Sequence, residues 1–157
     1  MPATQSAGDD VLQMAIMMEE LGSDFYEALA GVTRDVSTQD LCKRLAGEET
    51  RHRATFLKMR SELAAQGKTV LISDEKIAQA RRALKADVLP NGQTLREAIA
   101  SGKVSALLDL AIGMEHDAVA FYTRLAANVQ DKTAIEAIIR EEKIHARVLT
   151  EAKARLS

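Results

Sequence analysis

The chain contains two copies of the pattern Glu-x-x-His, at Glu49–His52 and at Glu142–His145. Each copy follows a second repeated pattern, Glu-x5-Phe-Tyr, which begins at Glu19 and again at Glu115. The offset is 96 residues for one pattern (19 to 115) and 93 for the other (49 to 142). This internal repeat predicts two similar helical hairpins related by a pseudo-two-fold axis.

The four patterns lie on predicted helices. The first helix is expected over Val11–Ala30, capped by Asp9 or Asp10 and preceded by a loose tail over residues 1–8. The second opens at a capping box, Ser37 to Asp40, and ends before Gly67. The third runs from Val104 to about Asn128, and the fourth is capped by Asp131 or Thr133 and nearly reaches the C-terminus.

Residues 68–103 have a different character and form a predicted crossover between the hairpins. Residues 73–87 are basic and helix-prone, a turn follows at Pro90 to Gly92, and Thr94 opens a short helix. At 157 residues, with aromatic residues only 3% of the total, the chain is expected to be one all-α domain over residues 1–157. The predicted fold is a four-helix bundle of two antiparallel hairpins joined by a long, partly helical crossover.

Each predicted helix carries a carboxylate at a core-facing position. On the second helix, Glu49 and His52 continue the apolar spacing from Leu45 to Phe56, and on the fourth helix Glu142 and His145 do the same. Four buried carboxylates repel one another and two neutral imidazoles cannot balance them. Two divalent cations would balance four negative charges, so the pattern predicts a dinuclear metal site.

The predicted metal ligands are the six residues of the two patterns: Glu19, Glu49, His52, Glu115, Glu142 and His145. We expect Glu49 and Glu142 to bridge the ions, Glu19 and Glu115 to be terminal ligands, and each histidine to bind one ion. Carboxylate-rich sites with one nitrogen per ion favour iron, with manganese possible. The alternative is that these residues occupy solvated helix faces, where Glu48, Glu141 and the non-ligand His116 are also placed.

Other function classes are disfavoured. The net charge of −2 gives no signature of nucleic-acid binding. The single Cys42, expected to be a small core residue, excludes an internal disulfide and a cysteine-based metal site. The N-terminal residues do not resemble a signal peptide, and no apolar run is long enough to cross a membrane. A cytoplasmic protein is therefore predicted.

These residues resemble the diiron-binding domain of rubrerythrins, in the ferritin-like superfamily. The resemblance covers about residues 11–65 and 104–154 and depends on the two paired patterns. It implies two iron ions that react with hydrogen peroxide or dioxygen. It also implies that Tyr26 and Tyr122 hydrogen-bond the ligand carboxylates, and that the protein is a homodimer.

The chain departs from rubrerythrins in two respects. It lacks the paired Cys-x-x-Cys motifs of a rubredoxin domain, so a separate electron donor is expected. Rubrerythrins carry an extra glutamate three residues after the third-helix ligand, where this chain has Ala118. We therefore predict an oxidoreductase that reduces peroxide or dioxygen. The alternatives are an iron-binding, ferroxidase-type protein without peroxidase turnover, and a metal-free helical interaction module.

Overall fold

The computed structural model describes residues 3–67, 92–127 and 132–156, with isolated positions 75, 78, 79 and 82, and it describes side chains from residue 12 onward. The continuous secondary structure in these ranges is five helices and no strand, which confirms the all-α prediction. The helices are α1 (Ala3–Val32), α2 (Val36–Ala65), α3 (Gly92–Ser101), α4 (Val104–Ala126) and α5 (Thr133–Ala154).

Four helix starts differ from the sequence predictions; α3 begins at Gly92 instead of Thr94. α1 begins at Ala3 instead of Val11, so residues 3–8 are helical and do not form a loose tail. α2 is capped by Asp35, whose carboxylate accepts a hydrogen bond from the Thr38 backbone N–H at 2.8 Å, so the expected capping box starting at Ser37 was wrong. α5 begins at Thr133 with Lys132 at the cap position.

Glycine follows two helix ends, and the one at Gly67 was predicted from the sequence. Gly67 follows α2 with φ +70°, and Gly102 follows α3 with φ +64°, a region that residues with a side chain rarely adopt. The predicted helix-prone stretch over residues 73–87 lies outside the described residues, except for helical positions 75, 78, 79 and 82. Pro90 and Asn91 of the predicted turn also lie outside them, and Gly92 is the first residue of α3.

α1 and α2 form one hairpin, joined by residues 33–35, and α4 and α5 form the other. Two apolar clusters fill the interior. One joins Leu12 and Ile16 to Phe56 and Ile135, and the other joins Leu45 to Leu108 and Leu149. On α2, α4 and α5 the ligand glutamates lie between these clusters, and on α1 Glu19 lies near the end of the first cluster, so the predicted metal ligands form a polar layer in the middle of the bundle.

None of the described helices is both long enough and apolar enough to cross a membrane.

Candidate metal centre

The structure brings all six predicted ligands together in the polar layer. None is more than 4% exposed, although all six are ionisable; they are Glu19, Glu49, His52, Glu115, Glu142 and His145. α1 and α4 each contribute one glutamate, while α2 and α5 each contribute a glutamate and a histidine. The alternative interpretation, that these residues lie on solvated helix faces, is therefore wrong.

The six residues divide into two groups that share members. Glu19 and His52 belong to one group, Glu115 and His145 belong to the other, and Glu49 and Glu142 belong to both. Within each group, one donor atom from every residue lies within 4.8 Å of the others. Each group is thus a candidate position for one metal ion.

The two shared carboxylates each offer one oxygen to each histidine. The Nδ1 atom of His52 lies 3.0 Å from Oε1 of Glu142 and 3.5 Å from Oε2 of Glu49. The Nδ1 atom of His145 lies 3.2 Å from Oε2 of Glu142 and 3.3 Å from Oε1 of Glu49. This is the arrangement expected of carboxylates that bridge two ions.

The terminal carboxylates complete each group. Oε2 of Glu19 lies 3.5 Å from Nδ1 of His52, and Oε1 of Glu115 lies 3.5 Å from Nδ1 of His145. Two donor atoms at metal bonds of about 2.1 Å lie roughly 3.0 to 3.5 Å apart when the bonds meet at about 90 to 110°. The measured donor separations fit a metal ion between them.

Two buried polar atoms of the cluster also fit a metal ion at this position. Glu142 Oε2 and His145 Nδ1 are 3.2 Å apart, yet neither has a hydrogen-bond partner of acceptable geometry. Buried polar atoms without partners are costly and uncommon in folded proteins. Because both atoms point into the same group of donors, a shared cation would satisfy them.

The outer nitrogen of each histidine is held by a glutamate from the other hairpin. Nε2 of His52 donates to Glu141 and Nε2 of His145 donates to Glu48, both at 2.7 Å. Because these bonds hold a proton on Nε2, the Nδ1 atoms face the ligand cluster, and each would offer its lone pair to a metal ion after losing its own proton. Glu48 and Glu141 were expected to be surface or rim residues, with a supporting contact to the ligands possible; Glu141 is exposed and Glu48 is partly exposed, and both contact the ligand histidines. The pattern Glu-Glu-x-x-His occurs twice in the sequence, and this repetition could have indicated that the first glutamate of each copy contacts a ligand histidine.

The two tyrosines also form side-chain hydrogen bonds between the hairpins. The hydroxyl of Tyr26 on α1 donates to Glu115 on α4, and that of Tyr122 on α4 donates to Glu19 on α1. Both tyrosines are fully buried. Burial, together with the negative charge of the adjacent glutamate, raises the pKa of each hydroxyl well above its usual value, so both remain donors.

Proton positions in the cluster follow from burial and proximity. Burial, reinforced by the charge of Glu49, raises the pKa of Glu19 well above normal. Burial, reinforced by Glu142, likewise raises the pKa of Glu115. Burial opposes ionisation of Glu49 and Glu142 as well, but their hydrogen bonds to neighbouring acids and histidines outweigh it and lower both pKa values.

Both histidines are held in the charged form by the surrounding carboxylates. Burial lowers the pKa of each ring, but the ligand glutamates close to it more than compensate and raise the pKa, to about 12 for His145; the pKa of His52 is raised in the same way. Two imidazolium ions can balance two of the four carboxylate charges. Two divalent cations that bind in place of protons would balance all four.

A small cavity of about 20 Å³ adjoins the four ligand glutamates. This is room for roughly one water molecule. Tyr122 also lines it, and the remaining wall is apolar and includes Met18 and Met114. Neither histidine lines the cavity, so it lies on the carboxylate side of the centre.

The other singled-out residues lie outside the centre. His116 is exposed on α4, as expected of a non-ligand. Cys42 is completely buried among apolar side chains, which confirms its interpretation as a small core residue. Burial raises the pKa of its thiol to about 11, so it is unreactive at neutral pH.

The comparison with protein families agrees with this geometry. The family model described as Rubrerythrin matches residues 10–104. No curated protein and no solved structure matches the chain. The matched range includes Glu19, Glu49 and His52 and stops at the first residue of α4. The residues of the second hairpin are assigned by the internal repeat and by their position in the fold.

Proposed function

Since the chain belongs to the rubrerythrin family, which its match over residues 10–104 shows, we propose that it binds two iron ions and reduces hydrogen peroxide or dioxygen. Manganese is the alternative metal. The observation that carries this proposal is the pair of shared carboxylates, Glu49 and Glu142, each with one oxygen toward each histidine.

The six side chains fit the proposed ions in charge and in donor type. Glu49 and Glu142 would bridge, Glu19 and His52 would bind one ion, and Glu115 and His145 the other. When bound, reduced iron supplies the electrons that convert hydrogen peroxide and protons into water. The chain positions the donors: Glu48 and Glu141 fix the histidine rings, and the tyrosine hydroxyls orient the terminal carboxylates.

Burial of the centre supports this chemistry. Each of the six ligands is almost completely shielded from water, so the reduction would take place away from bulk solvent. The 157 residues contain one cysteine, and that residue is buried in the apolar core. Reducing equivalents would therefore come from a separate electron donor, protein or small molecule.

The second candidate function is iron uptake and oxidation without peroxidase turnover. Ala118 favours it, because it lines the cavity beside the carboxylates and stands where rubrerythrins carry an extra glutamate. The centre then has six ligands arranged symmetrically, with no seventh carboxylate. Peroxide turnover separates the two functions.

The test is anaerobic iron titration followed by peroxide consumption with a supplied reductant. We expect two iron ions per chain in the wild type, and none in the double variant Glu49→Ala/Glu142→Ala, because both ions lose their shared ligands. The double variant Glu62→Ala/Glu136→Ala changes exposed glutamates on the same two helices and is the matched control.

Each outcome has a distinct meaning. Sustained peroxide consumption by the iron-loaded wild type supports the oxidoreductase. A single round of iron oxidation that then stops supports the iron-handling protein. Equal iron retention by wild type and Glu49→Ala/Glu142→Ala contradicts the dinuclear centre itself.

A further inference from the structure

The exposed charges are distributed unequally between the two sides of the bundle. The exposed charged residues of α1 and α4, among the side chains that the structure describes, are mostly acidic: Asp24, Glu27, Asp109 and Asp117, against Arg124. α2 exposes four basic residues and two acidic ones, which are Lys43, Arg44, Arg51, Lys58, Asp40 and Glu62. α5 exposes three of each sign. The side of the molecule that carries the ligand histidines is therefore the more basic one.

On this side, an exposed apolar residue lies beside the centre. Ile144 is 46% exposed and follows Glu141 by three residues on α5, so the two side chains are neighbours. Arg140 and Arg147 lie four residues before and three residues after Ile144, and both are exposed. Arg51 stands at the equivalent position of α2 and is 71% exposed. An apolar side chain is thus flanked by guanidinium groups from both histidine-bearing helices.

We propose that the surface formed by Arg44, Arg51, Arg140, Ile144 and Arg147 docks a small acidic electron-transfer protein. The inference rests on the proposed function and names the class of its electron donor. Reduction of one hydrogen peroxide to two water molecules consumes two electrons and two protons. Two molecules of a one-electron carrier would therefore dock in turn, and each would leave oxidised.

Hydrogen bonds connect this surface to the ligand cluster. Nε2 of His52 lies 2.7 Å from Glu141, whose side chain is 48% exposed. Nε2 of His145 lies 2.7 Å from Glu48, which Arg51 contacts at 3.6 Å. On the opposite side, the terminal glutamates are bonded to tyrosines that are fully buried. A carrier docked over α2 and α5 would be one hydrogen-bonded side chain away from a ligand histidine.

The composition of the surface fits an acidic protein partner. Arginine is enriched at protein interfaces and can pair with a carboxylate through two parallel hydrogen bonds. Arg51 and Arg147 contact Glu48 and Glu151 at 3.6 and 3.8 Å, and such exposed ion pairs contribute little free energy. Ile144 would supply apolar contact within the basic rim. Because α1 and α4 expose mainly carboxylates, an acidic carrier would be steered toward the histidine side.

A plant-type [2Fe–2S] ferredoxin, an acidic one-electron carrier, is a suitable probe. Calorimetric titration of the oxidised ferredoxin into the iron-loaded chain measures binding, and stopped-flow absorption of the reduced ferredoxin measures electron transfer. We expect the affinity to fall at least about tenfold between about 20 mM and about 200 mM salt, because the attraction between exposed charges is screened.

Charge reversal on α5 tests the location. Arg140→Glu/Arg147→Glu should weaken ferredoxin binding at least about tenfold and slow electron transfer, because the carrier would meet like charges. Both side chains are exposed, so iron content and peroxide consumption with ascorbate as reductant should match the wild type. Lys103→Glu/Lys132→Glu is the matched control. It makes the same change of charge at exposed positions just before α4 and α5, and it should bind ferredoxin nearly as the wild type does.

The apolar contact is tested separately. Ile144→Ala should weaken ferredoxin binding by about three- to tenfold without changing the salt dependence, since no charge is altered. The control is Leu57→Ala, at an apolar residue of α2 that is 36% exposed. Leu57 follows Thr50 by seven residues, on the flank where Thr50 lies 3.3 Å from Ser23 of α1, so this variant should bind as the wild type does.

The outcomes separate this inference from the function on which it rests. If the wild type retains no iron, the proposed function fails and the docking assignment fails with it. If the iron-loaded chain consumes peroxide with ascorbate but does not bind ferredoxin, the centre stands and the docking assignment is overturned. Equal binding by the wild type and Arg140→Glu/Arg147→Glu, or equal weakening in both charge-reversal variants, also overturns it.

Discussion

The two hairpins are alike inside the bundle and different at its surface. Each contributes one terminal glutamate, one shared glutamate, one histidine and one tyrosine to the centre. At the surface, Glu48 is 25% exposed and lies 3.6 Å from Arg51, whereas its counterpart Glu141 is 48% exposed. Ile144 stands at the position equivalent to Arg51 and is itself 46% exposed.

This difference shows that the two hairpins have to match at the buried centre and can differ at the surface. Four buried carboxylates must be balanced by charges placed evenly among them, so a change in one hairpin alone would leave an uncompensated buried charge. A surface ion pair such as Arg51–Glu48 contributes little free energy, and its loss in the second hairpin is tolerated. The predictions below test how far the equivalence of the hairpins extends.

The largest expected effect is on metal content. Glu19→Ala and Glu115→Ala each remove a terminal ligand from one position only, so each variant should retain one iron ion per chain where the wild type retains two. Elemental analysis after gel filtration measures this. Loss of both ions from either variant would show that the positions are not independent.

The next effect is a pH dependence of stability that reverses when metal is bound. In the folded chain the pKa values of Glu19, Glu115, His52 and His145 are raised. Their stabilising contribution is complete below the unfolded values, about 4.3 for Glu and 6.5 for His, and is lost as pH rises toward the folded values. Each group contributes up to about 1.4 kcal/mol per pH unit in that window.

We therefore expect the Tm of chelator-treated protein to fall from pH 5 to pH 9, because the contributions of Glu19 and Glu115 are lost first and those of the histidines follow. The Tm of iron-loaded protein should instead rise between pH 5 and pH 7, because metal binding displaces protons from the same groups. The pKa values of Glu49 and Glu142 are lowered in the folded chain. The stability that these two groups contribute is therefore lost only in stronger acid. Circular dichroism melting curves measure these changes, and parallel slopes with and without metal would contradict the proton assignment.

The third effect is a loss of metal affinity on replacing Glu48 or Glu141, which accept hydrogen bonds from the ligand histidines. The size of this loss should differ between the two hairpins. Glu48→Ala and Glu141→Ala should each weaken metal affinity by about 10- to 100-fold, because the ring loses the acceptor for its Nε2–H. The loss should be larger for Glu48, which is less exposed and is contacted by Arg51. Competition with a chelator measures the affinity.

The corresponding glutamine variants serve as controls for this third effect. An amide oxygen still accepts the hydrogen bond, so Glu48→Gln and Glu141→Gln should retain most of the affinity. Equal losses in the Ala and Gln variants would mean that the negative charge matters and the ring orientation does not.

The smallest effect concerns the tyrosine hydroxyls. Tyr26→Phe and Tyr122→Phe keep the buried ring but remove the donor to Glu115 or Glu19. Each should lower the free energy of unfolding by about 1 to 2 kcal/mol, and the two values should be similar. Urea denaturation of the chelator-treated proteins measures it. A loss in one variant only would show that the hairpins differ in the core as well.

Much of the centre was predictable because helix periodicity fixes which residues share a face. Glu49 and His52 continue the apolar spacing from Leu45 to Phe56, and all four residues are buried in the structure. The α1 start and the α2 cap were mispredicted. Asp35 and Ser37 both suit a cap position, and the choice between them depends on how the short loop leaves α1.

The sequence by itself determined the helices, the six ionisable residues at core positions and the need to neutralise them, because these follow from spacing along single helices and from the cost of burying charge. Only the tertiary structure decided which side chain meets which across the bundle. Tyr26 donates a hydrogen bond to Glu115, and Glu141 accepts one from His52. Such pairs depend on the relative rotation of helices from different hairpins, which no spacing within one helix specifies.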